Sequence, residues 1–119
     1  MATVKFEERT TAQSPGIKVV WKDLKATDAG EPHTILPING VASYRTFHVS
    51  GEFAGASVQI LGSSIEGEFD LMNDGAGNDL IFDEPHIKNS PDLVESVYPK
   101  VLGGGRETKI TVAMTGRKG

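Results

Sequence analysis

Residues 98–114, YPKVLGGGRETKITVAM, set two apolar runs on either side of three consecutive glycines and an arginine. How this stretch is read decides between two fold classes. In an α/β fold the glycines would be followed by a helix whose first amides meet a phosphate, usually with a Lys–Ser/Thr pair beside them. The residues that follow instead place Ile110, Val112 and Met114 on one face at a period of two, which is a strand pattern. A strand offers no helix dipole to an anion, so the phosphate cradle is excluded. Gly103, Gly104, Gly105 and Arg106 then read as a hairpin loop joining two strands.

The same alternation recurs along the chain. TVKFEER puts Val4 and Phe6 together, and SYRTFHVSGEF aligns Arg45, Phe47, Val49, Gly51 and Phe53. ASVQILG pairs Val58 with Ile60, and GEFDLM pairs Phe69 with Leu71. GIKVVWKDL admits two registers, one carrying Ile17, Val19 and Trp21 and the other Val20 and Leu24. NDLIFDE and SVYPKVL complete a series bounded by Gly, Asn, Asp and Pro. The expectation is an all-β fold, a β-sandwich or jelly-roll of eight or nine short antiparallel strands. One short helical turn is expected over residues 90–96, SPDLVES, with Ser90 as N-cap, Pro91 as first helical residue and Asp92 at the positive end of the dipole. Pro99 cannot donate to a ladder, so its strand is expected at an edge or near a strand end. No repeat or linker divides the chain. Residues 1–119 are expected to form one domain, with a polar N-terminal segment 1–15 and a short basic tail 116–119.

The length, 119 residues, suffices to bury a core without staples, and the absence of cysteine excludes disulfides and thiol chemistry. The first residues lack the apolar core of a secretory signal, and no apolar run approaches the ~20 residues of a membrane span. A protein made in the cytoplasm, with no membrane partner, is expected. The net charge of −4 is unevenly spread. Residues 46–87 carry eight acids and no Lys or Arg, whereas the flanks hold all 12 basic residues and eight acids. Without a dense basic stripe to neutralise phosphates, nucleic acid is not an expected partner. A solvated acidic face or complementary contacts between copies fit this distribution.

Candidate chemistry is sparse. His33, His48 and His86 lack metal-ligand spacing, and zinc needs three or four converging ligands; His48, between Phe47 and Val49, is expected at the surface. In residues 70–84, DLMNDGAGNDLIFDE, the oxygens of Asp70, Asn73, Asp74, Asn78, Asp79 and Asp83 suggest calcium. An EF-hand is excluded, because Met72 occupies a ligand position and the closing glutamate is missing. Asn-Asp-Gly and Ala-Gly-Asn-Asp are equally the residues of tight turns. G-x-S-x-G is absent. Glu66, Glu68 and Asp70 share one face of a strand with Phe69 and Leu71 opposite, as in an outward-facing polar strand rather than a buried acid pair. No enzyme and no cofactor are expected.

Three groups of residues together resemble a known family. Gly51, Phe53, Ala56, Val58, Ile60, Gly62 and Ser63 follow G-x-F-…-A-x-V-x-I-x-G-S. Gly77, Asn78, Leu80 and Phe82 follow G-N-x-L-x-F, and Pro99, Val101, Gly104, Ile110, Thr111 and Val112 follow P-x-V-x-x-G-…-I-T-V. Spanning residues 41–114, this order resembles small decoration (cement) proteins encoded among the capsid genes of tailed bacteriophages. Where those sequences place an aromatic, often Trp, after G-S-x-D-G, this chain has Ile65-Glu66-Gly67-Glu68-Phe69. The resemblance implies a protein on the outer capsid surface of a virion that binds the phage major capsid protein at subunit joints. It also implies a homo-oligomer, dimer or trimer. Lys5, Phe6, Arg9, Arg106, Arg117 and Lys118 are the expected capsid or inter-subunit contacts. The alternatives are a carbohydrate-binding or adhesion sandwich, or a tail or head-closure protein. Glycan binding would require exposed aromatics on one strand face, and most of the aromatics here are assigned to the core.

Overall fold

A computed structural model describes residues 2–10, 16–34, 42–65, 67–91 and 94–118, of which 9, 10, 16, 17, 42–44, 65, 117 and 118 are described by their backbone alone. Twelve strands run among them: β1 (Thr3–Val4), β2 (Phe6–Thr10), β3 (Gly16–Leu24), β4 (Ala29–Gly30), β5 (His33–Thr34), β6 (Ala42–Glu52), β7 (Ser57–Ile65), β8 (Glu68–Leu71), β9 (Ile81–Phe82), β10 (His86–Ser90), β11 (Ser96–Leu102) and β12 (Lys109–Lys118). They form a seven-stranded sheet, β1-β4-β11-β7-β8 with β5 beside β11 and β9 beside β7, and a five-stranded sheet, β10-β6-β12-β3-β2. The fold is an all-β sandwich. Every pairing is antiparallel except β1 with β4, which is parallel.

The core is the set of inward positions that alternation selects. Phe47 and Val49 of β6, Val112 and Met114 of β12, and Val58 and Ile60 of β7 are fully buried between the sheets. Phe53, Ala56, Leu80, Phe82, Val101 and Ile110, quoted above for the resemblance, join them. That sequence pattern therefore records core packing. In β3, Val19, Trp21 and Leu24 are all buried. A β-bulge reconciles the two registers: Trp21 faces Val112 and Leu24 faces Ile110, so β3 carries one extra residue there. Asp23 absorbs it at φ 57°, and its N–H donates to Thr111 Oγ1 at 3.5 Å.

Four expectations change. No helix is present among the described residues: Ser90 ends β10, Ser96 begins β11, and Asp92 and Leu93 lie outside the description. The strand count is twelve because short pieces such as β4, β5 and β9 are too brief to show a period. Pro99 does not sit in an edge strand, since β11 has β7 on one side and β4 and β5 on the other. It is tolerated because that second neighbour is interrupted: β4 pairs at Lys100 and β5 at Ser96 and Val97, which leaves Pro99 with no ladder partner there. Finally, β11 and β12 belong to different sheets, so the glycines are a crossing between layers and not a hairpin.

That crossing closes one end of the sandwich. Three connections meet there: residues 25–28 after β3, 53–56 after β6, and 103–108 after β11. Thr108, buried, accepts from the Gly105 N–H at 2.9 Å and donates to the Phe53 carbonyl at 3.0 Å. Asp28 accepts from the N–H groups of Ala2 and Lys25, and its own carbonyl accepts from Val101 N–H. Gly104, at φ 98°, leaves no room for a side chain: a Cβ would lie 2.5 Å from Thr108 Oγ1, 3.1 Å from Ala56 and 3.3 Å from Ala26.

Candidate functional site

The residues expected to make contacts do not converge. Arg106 is exposed in the turn at the closed end. Arg9, Arg117 and Lys118 belong to the opposite end, where Arg9 pairs with Lys18, Arg117 with Gly16 and Lys118 with Ala42. Their side chains lie outside the described residues. Residues 116–118 are thus ladder residues of β12. Lys5 is exposed between β1 and β2. Phe6 is half-buried, edge-on to Trp21 at 6.4 Å and to His33 at 5.0 Å between ring centroids. Trp21 is pinned in turn by its Nε1–H donating to the Glu31 carbonyl at 2.9 Å.

Acidic residues gather along one edge of the sandwich. β8 and β9 border one sheet and β10 borders the other, and the stretch from Glu68 to Glu84 connects them. Glu68, Asp70, Asp79, Asp83 and Glu84 are exposed there. The residues considered for calcium are engaged in a turn. Asn73 bridges Asp79, and Asp74 Oδ1 accepts from the N–H groups of Ala76 and Asn78 at 2.9 and 3.0 Å. Among the described residues no three His, Asp or Glu side chains gather as metal ligands.

His33 is buried, with Nε2 3.4 Å from Glu8 Oε1 and Nδ1 without a partner among the described residues. His48 and His86 are exposed elsewhere. Arg45 was grouped with Phe47 and Val49 by alternation, and it is buried with them. Its Nη2–H donates to the Val94 carbonyl, which ties the five-stranded sheet to the segment entering β11. Desolvation lowers its pKa from the ordinary arginine value.

Two concave regions are formed by described residues. An open groove of about 700 Å³ follows edge strand β10, lined by Thr46, Asp74, Gly75, Ala76 and residues 86–89. A second cavity, of about 360 Å³, is lined by Thr34, Ser63, Ser64, Gly67, Phe69, Glu95 and Ser96. It lies at the end of the seven-stranded sheet remote from the glycines, because Ser96 pairs with both Ser63 and Thr34. Beside it the outer face of this sheet is apolar. Tyr98, Leu61 and Leu71 form one cross-strand row, and Phe69 meets Tyr98 edge-to-face at 4.9 Å. Phe69 and Leu71 therefore lie on the outer face of the sheet, with Tyr98, and not in the core. Sequence alternation grouped them correctly but could not tell which face of an edge strand meets the core. The cavity itself leaves no sequence signal, since its residues come from three separated segments joined only by register.

No protein-family model matches the chain, and no curated protein matches it in sequence. Among solved structures, the SPBc2 prophage-derived protein YomS shares 12% identity at a TM-score of 0.64, covering 90% of this chain and 98% of its own. An RmlC-like cupin protein from Desulfovibrio desulfuricans aligns at 11% identity and a TM-score of 0.46, covering 94% of this chain and 82% of its own. Hydroxypropylphosphonic acid epoxidase from S. wedmorenis aligns at 9% and 0.46, with 93% of this chain spanning 49% of the enzyme. YomS has the same sandwich fold over nearly the whole of both chains.

Proposed function

We propose that the protein is a structural component of a phage virion, and specifically a decoration protein on the outer surface of the capsid that fastens neighbouring copies of the major capsid protein. The observation that carries this reading is the fold shared almost end to end with a prophage-derived protein. The order of core and turn residues across 41–114 resembles cement proteins and supports the same reading. A decoration protein works mechanically: it needs a rigid fold, no cofactor and surfaces that cross a joint. The interlocked loops around Thr108 and the continuous core supply rigidity, and the proposed mechanism involves no catalysis. Basic contacts are assigned to Arg106 at the closed end, to Arg9, Arg117 and Lys118 at the opposite end and to Lys5 between β1 and β2, and acidic contacts to the β8–β10 edge. Phe6 shapes the surface next to Lys5. Placement of many copies around a shell raises effective concentration, so each contact can be modest. Assembly as a dimer or trimer at local symmetry axes completes the proposal.

The test is to mix the purified protein with undecorated phage heads and image them. Stoichiometric extra density on the shell, weakened by raised salt as charge-driven contacts require, is the expected result. Heads that stay bare at saturating protein refute the decoration role, and binding to tails alone assigns the protein to the tail instead.

A further inference from the structure

We infer that the cavity between β5, β7, β8 and β11 is a binding site for a neutral saccharide. This goes beyond the capsid role and does not depend on it. Among the seven described lining residues, Thr34, Ser63, Ser64 and Ser96 carry hydroxyls, and Glu95 is the charged one of that set. Each hydroxyl both donates and accepts, so such a wall complements a ligand made of hydroxyls. The Thr34 and Ser96 hydroxyls lie 2.8 Å apart, which fixes them as a pair across β5 and β11. A carboxylate accepts from two adjacent hydroxyls at once, and the Glu95 carboxylate has no hydrogen-bond partner among the described residues.

Phe69 supplies the apolar wall on which the C–H face of a sugar ring rests, and Tyr98 holds it edge-on from outside the cavity. Gly67 faces open space and leaves the entrance clear. The volume, about 360 Å³, falls at the small end of the ~300–1,000 Å³ range of ligand sites, suiting one or two sugar units. The chemistry also rejects other ligands. Among the described lining residues there is no Lys, Arg or His, so phosphate and sulfate find no counter-charge from them, and no three metal-ligating side chains gather among the described residues. The backing is rigid: Glu95 N–H donates to the Ser63 carbonyl at 3.0 Å, and the neighbouring Val94 carbonyl is held by Arg45.

The experiment is a ¹H–¹⁵N NMR titration of the full chain with methyl α-D-glucopyranoside, methyl β-D-galactopyranoside, N-acetylglucosamine and disaccharides of each. The expected result is saturable shifts at the amides of Thr34, Ser63, Ser64, Gly67, Phe69, Glu95 and Ser96 with at least one of these sugars. Glu95→Gln, at an exposed position that leaves folding intact, weakens binding at least tenfold, and Phe69→Ala weakens it further where it folds. No saturable shift with any of the sugars overturns the assignment. So do shifts centred elsewhere, or affinity unchanged in Glu95→Gln.

Discussion

Three adjacent glycines occupy three different physical situations, so alanine at each is expected to have a different effect. Gly105 has no left-handed φ and a Cβ there meets nothing within 4 Å, so Gly105→Ala restricts only the unfolded chain and stabilises by about 0.4–1 kcal/mol. Gly103, at φ 72°, also faces open space, apart from one carbonyl at 4.0 Å. Its substitution costs about 1–2 kcal/mol of left-handed strain, offset in part by the same chain-entropy gain. Gly104 combines a φ of 98° with a Cβ position only 2.5 Å from Thr108 Oγ1. Relief requires Thr108 to move, which breaks two hydrogen bonds worth about 0.5–1.5 kcal/mol each, on top of roughly 1–3 kcal/mol of strain. The total is about 2–6 kcal/mol. At about 4 °C per kcal/mol for a chain of this length, Gly104→Ala lowers Tm by about 8–24 °C, Gly103→Ala by a few degrees, and Gly105→Ala raises it slightly. Calorimetry on the three variants measures this directly. A double-mutant cycle isolates the overlap: in a Thr108→Ala background the obstructing oxygen is gone, so Gly104→Ala costs about 2 kcal/mol less. Equal effects at all three positions, or strict additivity in the cycle, would refute the close-packed crossing.

Arg45→Met leaves the Val94 carbonyl without its guanidinium donor and costs about 1–3 kcal/mol in urea unfolding; unchanged stability would mean the bond contributes nothing. Asp74→Ala removes the acceptor for two N–H groups and is expected to cost about 1–2 kcal/mol, while chelator leaves Tm unchanged. A fall of several degrees with chelator alone would show that residues 70–83 hold a cation. Deleting residues 117–119 removes the Arg117–Gly16 and Lys118–Ala42 pairings as well as two charges. A stability loss of about 1 kcal/mol should therefore accompany any weakening of attachment to heads, as followed by urea midpoint.

Alternation fixed much of the fold in advance. Ile110, Val112 and Met114, Phe47 and Val49, and Val58 and Ile60 are the buried rows that the period of two predicts, because a pleated strand has no other way to sort its side chains. It placed Arg45 on the buried face as well, against the usual preference of its charge. The turn chemistry of residues 73–79 was equally legible, since an Asx turn is built from its own residues. What could not be read were features set by distant pairing. The bulge at Asp23 depends on where β12 lies, and the tolerance of Pro99 depends on the gap between β4 and β5. The outward turn of Phe69 depends on Tyr98 of another strand.

The glycine stretch shows the division most clearly. The sequence by itself determined that a strand follows Gly105 and that no phosphate cradle exists, because side-chain period is a local property of the backbone. Only the tertiary structure decided that the two flanking strands lie in different sheets, since hairpins and crossings share the same turn residues. The same holds for the cavity beside Ser96: hydroxyls from residues 34, 63, 64 and 96 meet only because β11 pairs with β5 and β7 in that register.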